Sequence, residues 1–159
     1  MEELKALLRQ HRFWTNKGRI NLAPPEGVDK TYGRPLLKEG IQSNVISLDK
    51  LLPGPRGERH RRMIELVQGM LGEHITELCL NKNLVCPPHR DRGNPTESYI
   101  AFFDGEQPFE GGALHLEDGT TYAEKDVWHG PFNGAQLLHW NDEITAGDKL
   151  AVVAYSRIK

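Results

Sequence analysis

The chain has 159 residues, 38% of them hydrophobic, with two cysteines and a formal net charge of −2. That length and apolar content suit one domain, residues 1–159, with enough core to fold alone, and the near-neutral charge excludes a generic polybasic nucleic-acid binder. No secretory leader, apolar run of transmembrane length or lipidation motif is visible, so the expectation is a soluble intracellular protein, nuclear or cytoplasmic, monomeric and without a membrane partner.

In chain order, Glu2 to His11 sets Leu4, Ala6, Leu7 and Leu8 among charges, the pattern of a short amphipathic helix. Phe13 to Leu22 and Gly40 to Leu51 hold possible strands. Between them a Pro/Gly-rich loop, Ala23 to Pro35, carries Lys30-Thr31-Tyr32-Gly33-Arg34, which suits either a substrate lid or a plain surface connection. After Pro53-Gly54-Pro55, the stretch Arg59 to His74 aligns Met63, Ile64, Leu66, Val67, Met70 and Leu71 as one apolar stripe and predicts a helix that buttresses a sheet. Arg56, Arg59, His60, Arg61 and Arg62 cluster at its start. Such a cluster serves either a phosphate backbone or an ordinary solvated helix start.

From Ile75 onward the pattern changes to short apolar runs: Ile75 to Leu80, Tyr99 to Phe103, Ala113 to Leu116, Ala135 to Leu138 and Leu150 to Tyr155. Most are bounded by turn dipeptides such as Asp104-Gly105, Asp118-Gly119 and Asn133-Gly134. Many short antiparallel strands predict a sandwich or a jelly-roll barrel, whose mouth can hold a metal and a small co-substrate. Cys79 and Cys86 bracket a strand end and a turn, where free buried thiols are expected ahead of a disulfide.

Three residues in this region have the types that ligate a mononuclear iron. His89-Arg90-Asp91 is an H-x-D pair, so on an extended strand end both side chains point to one face, and His139 supplies a second imidazole. Two imidazoles and one carboxylate fill one face of an octahedral Fe(II) and leave the other open; the competing reading is a chance H-x-D and a core histidine. Lys149 opens the last run. If it faces inward, Ala151, Val153, Tyr155 and Arg157 share its face by period two. A buried lysine needs an anionic partner, whereas a solvated strand-end lysine needs none.

The segment His89-Arg90-Asp91-Arg92-Gly93-Asn94, with Ser98 beyond, resembles the HRDxxN signature of the TET and J-binding-protein dioxygenases, which oxidise the methyl group of 5-methylcytosine or thymine. Phe132-Asn133-Gly134 before Leu138-His139 is similar to the family's F-[DN]-G turn, and KLAVVAYSR is similar to its closing strand. The resemblance spans roughly residues 76 to 157. It implies a mainly β, α+β chain in which a helical or mixed buttress, residues 1–74, supports a double-stranded β-helix of jelly-roll or cupin type, residues 75–159. It further implies Fe(II), 2-oxoglutarate and O2 as cofactor and co-substrates, His89, Asp91 and His139 as iron ligands, and Lys149, ten residues after His139, as the 2-oxoglutarate anchor. Asn94 matches the base-contacting asparagine, and Arg157 stands where the TET branch has a base-contacting histidine. His115 suits a further co-substrate contact or a solvated strand position. Departures are the lysine at 149 in place of arginine, which cannot form a bidentate fork, and Ala151 in place of serine. A methylated DNA or RNA partner follows, with its base flipped out of the stack onto an aromatic such as Tyr99, Phe103 or Trp140. The rival classes are a protein or small-molecule hydroxylase of the prolyl-hydroxylase type and a non-catalytic binding module.

Overall fold

The computed structural model describes residues 1–15, 42–91 and 97–157, with the backbone of 22–23. Asn94 and the Lys30 to Arg34 segment lie outside the described residues. In chain order the elements are α1 (Glu2–Gln10), β1 (Leu22–Ala23), β2 (Gln42–Ser47), α2 (Gly54–Leu71), β3 (Glu77–Lys82), β4 (Arg90–Asp91), β5 (Ser98–Asp104) and β6 (Glu110–Gly111). They continue with β7 (Leu114–Leu116), β8 (Thr121–Tyr122), β9 (Trp128–Phe132), β10 (His139–Asn141), β11 (Ile144–Ala146) and β12 (Lys149–Tyr155).

One antiparallel sheet of five strands, in the order β2-β3-β12-β5-β9, forms the larger layer. Facing it are the three-stranded β10-β7-β8 and two short pairs, β11-β6 and β1-β4, and an isolated bridge between His89 and His139 ties the chain before β4 to β10. The centre of the large sheet is closed by the register of β12, which sets Val152 opposite Leu80 on one side and Ala101 on the other.

Period-two alternation gives the large sheet two different faces. Leu78, Leu80, Ala101, Phe103, Leu150, Val152 and Ala154 turn one way and pack with Leu4 and Leu8 of α1 and Met63, Ile64 and Val67 of α2. Ile100, Phe102 and Ala151 turn the other way, onto Phe109, Leu114, Leu116 and Phe132 of the smaller layer. Each fully buried side chain of this size contributes about 1.5–3 kcal/mol, so the helices act as the predicted buttress of one face and leave the other to line a site.

Two differences from expectation have a clear physical cause. Helix α2 begins at Gly54, five residues before the predicted Arg59, because Pro53 takes the N-cap and Pro55 falls in the first turn, where a missing N–H costs nothing. Gly57 then lies so close to the preceding loop that a Cβ would stand 1.6 Å from the Leu52 carbonyl oxygen. The expected strand Ala135 to Leu138 is a turn instead. The Asn133 side chain accepts from the amides of Ala135 and Gln136, at 3.0 and 3.1 Å, and this asparagine turn wins over the apolar pattern. The strand starts at His139. Both cysteines are buried and neither is in a disulfide. Among the described residues no helix is long and apolar enough to cross a membrane.

Candidate metal centre

His89 and His139 are fixed by backbone before any side chain is considered. Each donates its amide to the other's carbonyl, at 3.1 and 3.0 Å, and the Asp91 amide donates to Gly134 O at 2.8 Å. The two imidazoles therefore face each other with ring centroids 4.2 Å apart.

Hydrogen bonds from the outer ring nitrogens set which atoms point inward. His89 Nδ1 lies 2.7 Å from Pro87 O and His139 Nδ1 lies 2.9 Å from Leu137 O. A carbonyl only accepts, so each Nδ1 carries a proton and each Nε2 is the ring nitrogen turned inward, the orientation that supports metal ligation by histidine. Those Nε2 atoms stand 3.6 and 3.4 Å from the two carboxylate oxygens of Asp91, beyond the usual hydrogen-bond range of about 2.7–3.2 Å, and the three ligand atoms all lie within 4.8 Å of one another. Both histidines are nearly sealed, 3% and 5% exposed. Burial, the largest influence, holds His89 below the ordinary histidine range despite the Asp91 carboxylate, which favours the neutral ligand form.

The backbone at Gly134 is shaped to the same centre. A Cβ there would stand 2.5 Å from Asp91 Oδ2 and 3.2 Å from His139 Cε1. Only glycine lets the turn pass this close. Two imidazoles with one carboxylate, oriented from behind and converging on one point, fit a divalent first-row metal.

The triad opens into a cavity of about 300 Å³ between the layers. Lys149 lines it, 3% exposed. Its ammonium donates to Gly112 O at 2.5 Å and lies 4.7 Å from the Phe102 ring centroid, and among the described residues no carboxylate is within ion-pairing distance. Burial pushes Lys149 down to about 8, with only partial relief from Cys86 and Asp142. A cation so placed fits an anionic ligand. Ala151, Val153, Tyr155 and Arg157 line the same cavity, as period two from Lys149 requires. Arg157 is exposed, and its guanidinium stands 3.5 Å from the buried Glu77 carboxylate.

Other expected contacts lie elsewhere. His115 does not line the cavity; it pairs with Asp142 at 2.7 Å and Thr121 at 3.1 Å and stacks on Trp140. Tyr99 and Phe103 pack toward the helices, because their odd positions on β5 fall on the opposite face from Ile100 and Phe102. Among the described residues, the Phe and Tyr side chains that do reach the cavity are Phe132 and Tyr155. Asn81 was missed as a cavity residue. Its side-chain oxygen accepts from Ser43 Oγ at 2.6 Å and Cys79 Sγ at 3.4 Å; the alternation Cys79, Asn81 along β3 was the signal that could have found it. The basic cluster also divides: Arg62 pairs with Glu3 at 2.7 Å and Arg61 with Glu58 at 3.9 Å, whereas Arg56 lies over the Trp14 ring.

No family model and no curated protein matches the chain. Among solved structures it is similar to an oxidoreductase of the 2OG-Fe(II) oxygenase family from Burkholderia pseudomallei, with a TM-score of 0.54 and 16% identity over 99% of this chain and 79% of that one. At that identity the likeness shows a shared β-rich fold.

Proposed function

We propose that this protein is an Fe(II)- and 2-oxoglutarate-dependent dioxygenase that oxidises the methyl group of a methylated nucleobase, of the 5-methylcytosine or thymine type, in nucleic acid. The observation that carries the reading is the convergence of His89 Nε2, His139 Nε2 and the Asp91 carboxylate in a cavity that also holds the buried Lys149 ammonium. The strand orders β3-β12-β5-β9 and β10-β7-β8, with His89 bridged to β10, support a double-stranded β-helix, and the name of the structural neighbour supports the same co-substrate class. Bound at the triad, Fe(II) would supply the oxygen activation that side chains cannot.

The chain's own part is binding, orientation and exclusion of water. Pro87 and Leu137 carbonyls hold the two imidazoles in the ligating tautomer. Lys149 attracts the distal carboxylate of the co-substrate, at a depth where Ile100, Leu114 and Ala151 keep the charge pair dry. Asn94 and Arg157 are the residues proposed to meet the base. The substrate assignment rests on the HRDxxN resemblance and on the F-N-G turn, whose Gly134 gives way to Asp91 and His139.

Incubation with Fe(II), 2-oxoglutarate and 5-methylcytosine DNA, followed by mass spectrometry of the nucleosides, tests the reading. An oxidised methyl base is expected with the native chain and none with His89→Ala, Asp91→Ala or His139→Ala, while Asn94→Ala should lower base oxidation and spare uncoupled 2-oxoglutarate decarboxylation. A hydroxylated peptide or free metabolite in place of an oxidised base would assign the protein to the prolyl-hydroxylase type.

A further inference from the structure

The helical side of the large sheet carries a second pocket, of about 260 Å³, lined by Arg12, Arg56, Arg59, His11 and His60 over an apolar floor. It is formed by α1, α2 and the chain following α1, so the sheet separates it from the metal cavity. No carboxylate among the described residues lines it. Among the described residues none of the three arginines is ion-paired, in contrast to Arg61 and Arg62 of the same helix. Arg56 is steadied by the Trp14 ring, 5.0 Å from its guanidinium carbon.

His60 gives the independent sign of a ligand. It is 4% exposed, and among the described residues its buried Nε2 has no hydrogen-bond partner, a condition that native structures rarely tolerate. Burial, then the positive charges of His11, Arg56 and Arg59, hold it down to about 4. The His11 ring, 5.5 Å away, is in turn held by Asn44 at 3.0 Å. The first turns of α2 supply Arg56, Arg59 and His60, and this N-terminus has no capping side chain, so its dipole adds the same sign.

We propose that this pocket is a binding site for a phosphate group. Guanidinium forks match several oxygens of a tetrahedral oxyanion at once, and an anion drawn between them would favour a protonated, donating His60. The site is independent of the dioxygenase reading, since no ligand of the metal centre faces it.

The test is NMR titration of the His60 and His11 imidazole resonances in the full chain at constant ionic strength, with inorganic phosphate in one arm and a short single-stranded oligonucleotide in the other. Saturable His60 shifts are expected. Arg56→Ala and Arg59→Ala should each weaken binding roughly tenfold, the scale of one charged hydrogen bond, while Arg61→Ala should leave it unchanged. Saturation by free phosphate at the lower concentration marks a phosphomonoester ligand, and saturation by the oligonucleotide at the lower concentration marks a phosphodiester backbone. No saturable shift in either arm, or equal affinity in Arg56→Ala and Arg59→Ala, would overturn the proposal.

Discussion

Replacing Lys149 with methionine should make the protein more stable and, on the function proposed above, less able to bind 2-oxoglutarate. An ammonium ordinarily at 10.5 but held at about 8 by burial loses about 3 kcal/mol of folding stability at neutral pH relative to an unperturbed lysine. Methionine is similar in length, carries no charge and escapes that cost. It leaves Gly112 O, now 2.5 Å from Nζ, without its donor, which costs about 1 kcal/mol. The net expectation at pH 7 is a gain of about 2 kcal/mol, or about 4–8 °C in Tm for a chain of this size. Because the folded value is depressed, the unfolded chain holds the extra proton between about pH 8 and 10.5. Native stability therefore recovers as pH rises through that window, and the advantage of Lys149→Met fades there. Binding moves the other way: losing one partner of a buried ion pair costs about 3–5 kcal/mol, so 2-oxoglutarate affinity should fall at least a hundredfold in calorimetry on anaerobic Fe(II)-loaded protein. In the native chain that affinity should decline above about pH 8. A Lys149→Met protein that is less stable and still binds 2-oxoglutarate like the native one would refute the anchor role.

Three further outcomes follow from packing and charge. Gly134→Ala should weaken divalent metal binding roughly 10–100-fold, as measured by Co(II) absorption, with the fold kept, because its methyl would press on Asp91 and His139; unchanged affinity would mean that the turn does not shape the centre. Gly57→Ala should cost on the order of 3 kcal/mol in urea denaturation, since the added carbon meets the Leu52 backbone rather than a movable side chain. His60 has a folded value depressed from 6.5 to about 4, so its contribution is present above pH 6.5 and is lost as pH falls toward 4, by roughly 3 kcal/mol. His60→Gln should show a flatter acid limb than the native chain, and identical limbs would show that the ring is accessible to protons in the folded state.

What the sequence by itself determined are the features that depend on local spacing. H-x-D places two ligands on one face of an extended segment, and period two from Lys149 correctly puts Ala151, Val153, Tyr155 and Arg157 on one wall. The apolar stripe of α2 and the β-rich second half were legible for the same reason, since periodicity reflects which face is buried. Tertiary structure alone decided which of several equivalent residues share a space. The F-N-G turn marked His139 by resemblance alone; what brings it to His89 is a backbone bridge across fifty residues, whereas His115 spends its ring on Asp142. Tyr99 and Phe103 were candidates for the cavity until the register of β5 turned them toward the helices. The basic cluster was legible as charge, but only packing showed that Arg61 and Arg62 stand beside carboxylates while Arg56, Arg59 and His60 line a pocket. A ligand set is defined by distances of a few ångströms between residues far apart in the chain, and those distances are set by strand pairing and side-chain packing acting over the whole fold.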